Sequence, residues 1–219
     1  MFRTCIVLLA FGTLAGAQTA RTIQATGSAT LLVNPDQASL DVGVVTTAAT
    51  AQDSSTQNAT QTTAVLEAVK AVLGATGTVQ TQSYTVSPRY APNTSTINGY
   101  TTYNTLRLVT TDLSILGRLI DAANGAGANS VGGLSFGLRD PDPSVQLALT
   151  AATKQAIAHA TAIAAGLGGK VGAVVSAQES GSYAPIVATS GNGALAASTP
   201  VQTGTVNVYA NVTLVVQLQ

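Results

Sequence analysis

The chain predicts an α+β fold with elements in the order ββαββαβαββ, built from mostly antiparallel sheet with three amphipathic helices packed on one face. Three observations predict it. Apolar residues alternate with period two near both ends of the chain, three separate stretches carry helical spacing, and Pro- or Gly-marked turns divide them.

Between residues 23 and 33 the odd positions Ile23, Ala25, Ala29, Leu31 and Val33 are apolar and most even ones polar, as in a half-buried strand. Asn34, Pro35 and Asp36 supply a turn, after which Ala38, Leu40, Val42 and Val44 resume the alternation with switched parity. The two runs read as a β-hairpin. Thr50 and Asp53 resemble a capping box, and Leu66, Val69 and Leu73, with Val65 and Val72 alongside, stripe a helix over Ala51–Leu73 that stops at Gly74. Residues 79–88 and 100–110 form a second strand pair around the polar loop 91–99. Asp112 is placed as an N-cap for a helix whose face is Leu113, Leu116, Ile120 and Ala123, ended by Gly125 and Gly127.

A short strand over residues 131–138 sets Leu134, Phe136 and Leu138 on one face. Asp142 as N-cap and Pro143 at the first helical position then open an Ala-rich helix to about Leu167, with the stripe Leu149, Ala152, Ala156, Ala160, Ile163 and Leu167. Another strand covers 171–176. Residues 181–200 are uncharged Gly, Ala, Ser and Pro without period, the composition of a long mobile loop. The last strand is the clearest, because Val206, Val208, Ala210, Val212, Leu214, Val216 and Leu218 alternate without a break. Its edge or its open face is the surface expected to meet another subunit.

At the start, Arg3, the apolar run from Cys5 to Leu14 and the small residues Ala15, Gly16 and Ala17 have the layout of a secretory signal peptide over residues 1–17, leaving a single domain over 18–219. Exported, soluble protein of the periplasm or cell envelope is the expectation, with no transmembrane segment in the mature chain. Cleavage would remove Cys5, the one cysteine, and with it disulfides, thiolate metal sites and cysteine nucleophiles. Nine basic and nine acidic residues, with no charge run, give no footprint for nucleic acid. A surface this close to neutral resists self-association weakly.

Candidate chemistry is sparse. Gly133, Ser135 and Gly137 spell a GxSxG nucleophile motif, and Ser135, Asp142 and His159 follow the chain order of a serine hydrolase. A nucleophile elbow needs a strand, a sharp turn and an immediate helix, whereas Ser135 sits inside an alternating strand. His159 is the one histidine and lies near Gln155 on a helix edge, where a structural hydrogen bond is the plainer role. One histidine without cysteine does not make a usual zinc site. Asp140 and Asp142 read as caps, and GLGGK over 166–170 lacks both the first glycine and the Ser or Thr of a phosphate loop. Asn58, Asn93 and Asn211 open formal glycosylation sequons. No catalytic, cofactor-binding or metal-binding residue is assigned, and no cofactor is expected.

Several segments resemble the SIMPL-domain family of exported bacterial proteins, which has periplasmic immunogenic and oxidative-stress-associated members. They are TGS over 26–28 with NPDQA over 34–38, YTVSPRY over 84–90, NGY over 98–100, Asp112 and Leu113 with LIDAA over 119–123, and GANSVGGLSFG over 127–137. The chain departs from the family pattern at 91–95, where APNTS replaces an acidic or aromatic continuation, and in a late loop lacking Met and Pro richness. The resemblance implies an exported α+β protein, ring-like oligomers in some members, and no catalytic residues to carry over. A non-enzymatic oligomeric or partner-binding scaffold of the envelope is the expected function, tied to stress tolerance by family alone. A serine hydrolase using Ser135 and His159 and a small-ligand-binding periplasmic protein are the alternatives.

Overall fold

The computed structural model describes residues 21–179, 186–187 and 201–219. The leader read over residues 1–17 and most of the loop read over 181–200 lie outside the described residues. The elements run β1 (Thr22–Val33), β2 (Gln37–Ala48), α1 (Ala51–Leu73), β3 (Gly77–Tyr90), β4 (Ile97–Thr110), α2 (Leu116–Gly125), β5 (Ser130–Gly137), α3 (Asp142–Gly166), β6 (Val171–Glu179), β7 (Ile186–Val187) and β8 (Val206–Leu218), with a 3-10 turn at Leu113–Ile115 before α2. The fold is α+β in the expected order, with the two-residue β7 inside the 181–200 segment.

The strands form two antiparallel sheets, one ordered β1-β8-β6 and the other β3-β4-β2-β5-β7. Each carries helices on one face. Against the five-stranded sheet, Val65, Val69 and Leu73 of α1 and Leu116, Leu119 and Ala123 of α2 pack on Leu40, Val42, Val44, Leu106 and Leu108. Against the three-stranded sheet, α3 packs on Ile23, Ala25, Val208, Ala210, Leu214 and Val216.

Two sheets mean that the expected hairpin of the first two strands does not exist. β1 pairs with β8 in unbroken register from Thr22↔Gln217 to Val33↔Val206, while β2 lies between β4 and β5. The turn at Asp36 is what diverts the chain. Its carboxylate accepts the Arg139 N–H at 2.7 Å and its own N–H donates to the Gly137 carbonyl at 3.1 Å, so the turn is tied to the end of β5. The parity switch between the first two strands therefore marks a change of core, with β1 feeding one and β2 the other.

Three further expectations change. The last strand, β8, is bonded on both sides, by β1 and β6, so its edge is taken and only its outer face stays open. The α3 stripe is Ala148, Ala152, Ala156, Ala160 and Ala164, each fully buried, whereas Ile163 and Leu167 face solvent. Alanine at every fourth position brings the helix backbone close to the sheet, and the bulkier residues fall off that line. Asp142 is the first helical residue and not the cap. Asp140 Oδ1 accepts the Asp142 N–H at 3.1 Å, one residue ahead of Pro141.

Candidate functional site

Polar side chains converge where β5 meets β2. Ser39 and Ser135 are register partners, and their hydroxyls stand 2.7 Å apart, half-buried. Beyond them the register slips between Ser39 and Asp41, where Gly133 and Leu134 together stand opposite Leu40. Gly133 has φ of +61°, and a Cβ there would meet Asp41 Oδ2 at 2.6 Å, so both the backbone and the carboxylate above it require glycine. Asp41 in turn is gripped by Arg107, its register partner on β4, with Nε 2.8 Å from Oδ1 and Nη2 2.9 Å from Oδ2. The hydrogen bond to Asp41, and then its charge, hold the guanidinium above its ordinary pKa.

A cavity of about 250 Å³ opens beside this cluster, lined by Gln37, Ala38, Ser39, Ser135, Phe136, Gly137 and Leu138. Its polar groups are hydroxyls and an amide, which bind by hydrogen bonding and lack a base at hand. Ser135 lies on a strand, as the alternation predicts, with Ser39 as its side-chain partner. His159 belongs to the other sheet's helix, where Nδ1 is 2.7 Å from the Thr26 carbonyl oxygen. A carbonyl only accepts, so Nδ1 carries the proton in that contact. The structure thus puts Ser135 on one layer and His159 on another. Among the described residues no group of three or more His, Cys, Asp or Glu could hold a metal ion, and no helix is long and apolar enough to cross a membrane.

The sequons divide by burial. Asn58 is sealed between α1 and the sheet, donating to the carbonyls of Val44 at 2.9 Å and Thr102 at 3.3 Å. Asn93 is exposed in the β3–β4 loop, and the Asn211 amide contacts the Tyr209 hydroxyl. Asp112 does cap, but it caps the 3-10 turn, accepting from both the Ser114 hydroxyl and N–H at 2.6 and 3.0 Å. Those two bonds, the hydroxyl first, pull its carboxyl below the usual range.

Sequence reasoning passed over the Asp41–Arg107 pair and the Ser39 partner of Ser135. Each lies on the polar parity of its strand, and only strand pairing shows which polar residues face one another. It also passed over a surface. β3 and β4 are 14-residue strands forming a ribbon in which β4 supplies Thr102, Leu106, Leu108 and Thr110 to the core and β3 supplies no fully buried residue. Tyr84 and Tyr103 stand half-exposed on its two opposite faces, since Tyr84 is paired with Asn104 and Tyr103 with Thr85, and Tyr90 pairs with Ile97 at its tip, both also half-exposed. The motifs YTVSPRY and NGY map onto this ribbon.

Residues 23–216 match the family described as SIMPL, a protein of unknown function (DUF541). Two curated relatives are the 26 kDa periplasmic immunogenic proteins of Brucella melitensis biotype 1 and of Brucella abortus strain S19. Each is 29% identical to this chain over 164 residues, 72% of the chain. The chain spans 66% of the length of these relatives. Because the family match reaches from the first strand into the last and takes in both sheets and their helices, the chain belongs to the SIMPL family.

Proposed function

We propose that this is a non-enzymatic exported protein of the bacterial periplasm or cell envelope, working as an oligomeric or partner-binding scaffold, with a link to stress tolerance through its family alone. The observation that carries the reading is the β3–β4 ribbon, whose Tyr84, Tyr90, Ile97 and Tyr103 stand half-exposed on a strand pair with little core of its own. Tyrosine offers a broad apolar face with a hydrogen-bonding tip, the chemistry enriched in protein interfaces. The periplasmic names of the relatives and the leader-like residues 1–17 support export.

The test is light scattering on the mature chain, residues 18–219, at micromolar concentration, with a Tyr84→Ser/Tyr103→Ser variant beside it. An assembly that the variant weakens is the expected result. A monomer that captures the same envelope proteins with and without the two tyrosines would remove the reading. Ester or peptide turnover abolished by Ser135→Ala, with the fold intact, would replace it with a hydrolase.

A further inference from the structure

Sheet edges present rows of unpaired backbone N–H and C=O groups that accept a strand from another molecule unless something blocks them. β3 and β6 are blunted by irregular backbone: β3 slips register twice and contains Pro88, and β6 slips twice within nine residues. β1 has neither device. Its register with β8 is continuous over 12 residues, and TIQATGSATLLV holds no charge and no proline.

Two α3 side chains one turn apart reach this edge. Gln155 Oε1 accepts the Ser28 N–H at 2.6 Å, and His159 Nδ1 lies 2.7 Å from the Thr26 carbonyl oxygen. Along a strand the N–H and C=O of one residue point to the same side and alternate from residue to residue, so Thr26 and Ser28 both turn theirs away from β8. The hydroxyls of Thr26 and its partner Thr213 are 3.4 Å apart, in keeping with the close side-chain approach of a non-hydrogen-bonded pair. The Thr26 carbonyl and the Ser28 N–H are two of the groups that an added antiparallel strand would engage, through the residues set opposite Thr26 and Ser28. Here both are occupied. Gly27, between them, makes the reach short: a Cβ there would stand 2.1 Å from the Ala152 carbonyl oxygen and 2.4 Å from the Ala156 nitrogen.

We propose that Gln155 and His159 are an edge guard, capping Ser28 N–H and Thr26 C=O so that β1 does not add the β1 strand of a second copy of this chain. The second copy is the occupant this strand fits. A two-fold axis through Gly27 sets Thr26 opposite Ser28 of the partner subunit and Gln24 opposite Thr30 of the partner subunit. All four are outward-facing positions, and no charges meet across the axis. The guard does not depend on the scaffold reading, which rests on the β3–β4 ribbon.

Residue-resolved hydrogen exchange with light scattering tests it, on the mature chain and on a Gln155→Ala/His159→Ala variant; alanine keeps the helix. In dilute solution the Ser28 amide of the variant exchanges about tenfold faster, the effect of losing one hydrogen bond. As concentration rises, the variant forms larger species than the native chain, and the Gln24, Thr26, Ser28 and Thr30 amides become protected together. Gln155→Glu, which keeps an acceptor for Ser28, behaves as native at neutral pH. A double variant with native assembly and concentration-independent exchange along β1 overturns the proposal, as does new assembly without protection of those amides. Should the double variant not fold, Gln155→Ala alone gives the readout: unchanged Ser28 exchange overturns the guard, and faster exchange with His159 in place supports it.

Discussion

Arg107 holds Asp41 through two parallel hydrogen bonds, Nε to Oδ1 at 2.8 Å and Nη2 to Oδ2 at 2.9 Å, directly across the β2–β4 ladder. The fork suits guanidinium, whereas a lysine would offer one point charge to two oxygens. The Arg107 side chain is 44% exposed and that of Asp41 23%, so water screens much of the attraction. Arg107→Lys is expected to lower the melting midpoint only slightly, by about 2–4 °C at most. Calorimetry checks it, and a loss several times larger would mean the pair organises the sheet.

Gly27→Ala is expected to be far more damaging. Its Cβ would collide with the Ala152 carbonyl and the Ala156 nitrogen, both backbone atoms that no rotamer change can move. Either α3 lifts from the sheet or β1 bends, at about 3 kcal/mol or more. Chemical denaturation of the variant measures the loss, and the Ser28 amide reports whether Gln155 still reaches it.

Asn58→Ala tests the buried polar seam. It removes the donor from two interior carbonyls, those of Val44 and Thr102, and leaves space beside Ser54 and Thr102. A loss of about 2–3 kcal/mol is expected, because desolvated carbonyls are left with fewer partners. Asn58→Asp is expected to be worse at neutral pH, since a buried carboxylate would face carbonyl oxygens. The denaturation midpoints of the two variants rank the effects.

Asp112 ties stability to acid. Its folded pKa lies below the ordinary 3.8, held down first by the Ser114 hydroxyl and then by the Ser114 N–H. A depressed pKa contributes stability that is complete above the unfolded value and is lost as pH falls through the folded one. Native protein should therefore lose stability below about pH 4 with a slope that Asp112→Asn lacks. Melting curves from pH 6 to pH 2 compare the two slopes.

Much of the fold was legible in the residues because burial imposes a period. Alternation located β1, β2 and β8, and the Val65, Val69 and Leu73 spacing located α1 almost to the residue. In α3 the spacing places Ala152, Ala156 and Ala160 on the inward face, as the structure has them, but extends that face to the bulkier Ile163 and Leu167, where the line of contact runs through Ala164. Alanine instead occupies the line of contact, since only a small side chain fits where helix and sheet come this close. The cluster around Ser135 was legible only as a negative: an alternating strand is no nucleophile elbow. Its partner Ser39 lies 96 positions away and carries no local signal.

Local order thus followed from the sequence alone: the order and type of the elements, which positions are apolar, and which family the motifs indicate, although β4 begins at Ile97, inside the expected 91–99 loop, and β3 and β6 run past their expected ends. Tertiary structure decided the rest. It divided the strands between two sheets, closed both edges of β8, set Arg107 across from Asp41, and brought Gln155 and His159 to the edge of β1. The physical reason is the range of the forces. Periodicity and capping act within a few residues of chain, whereas strand pairing chooses among partners of similar apolar pattern. That choice is made by contacts between distant segments, such as the Asp36 turn tied to β5 and the fit of Gly27 beneath the α3 backbone.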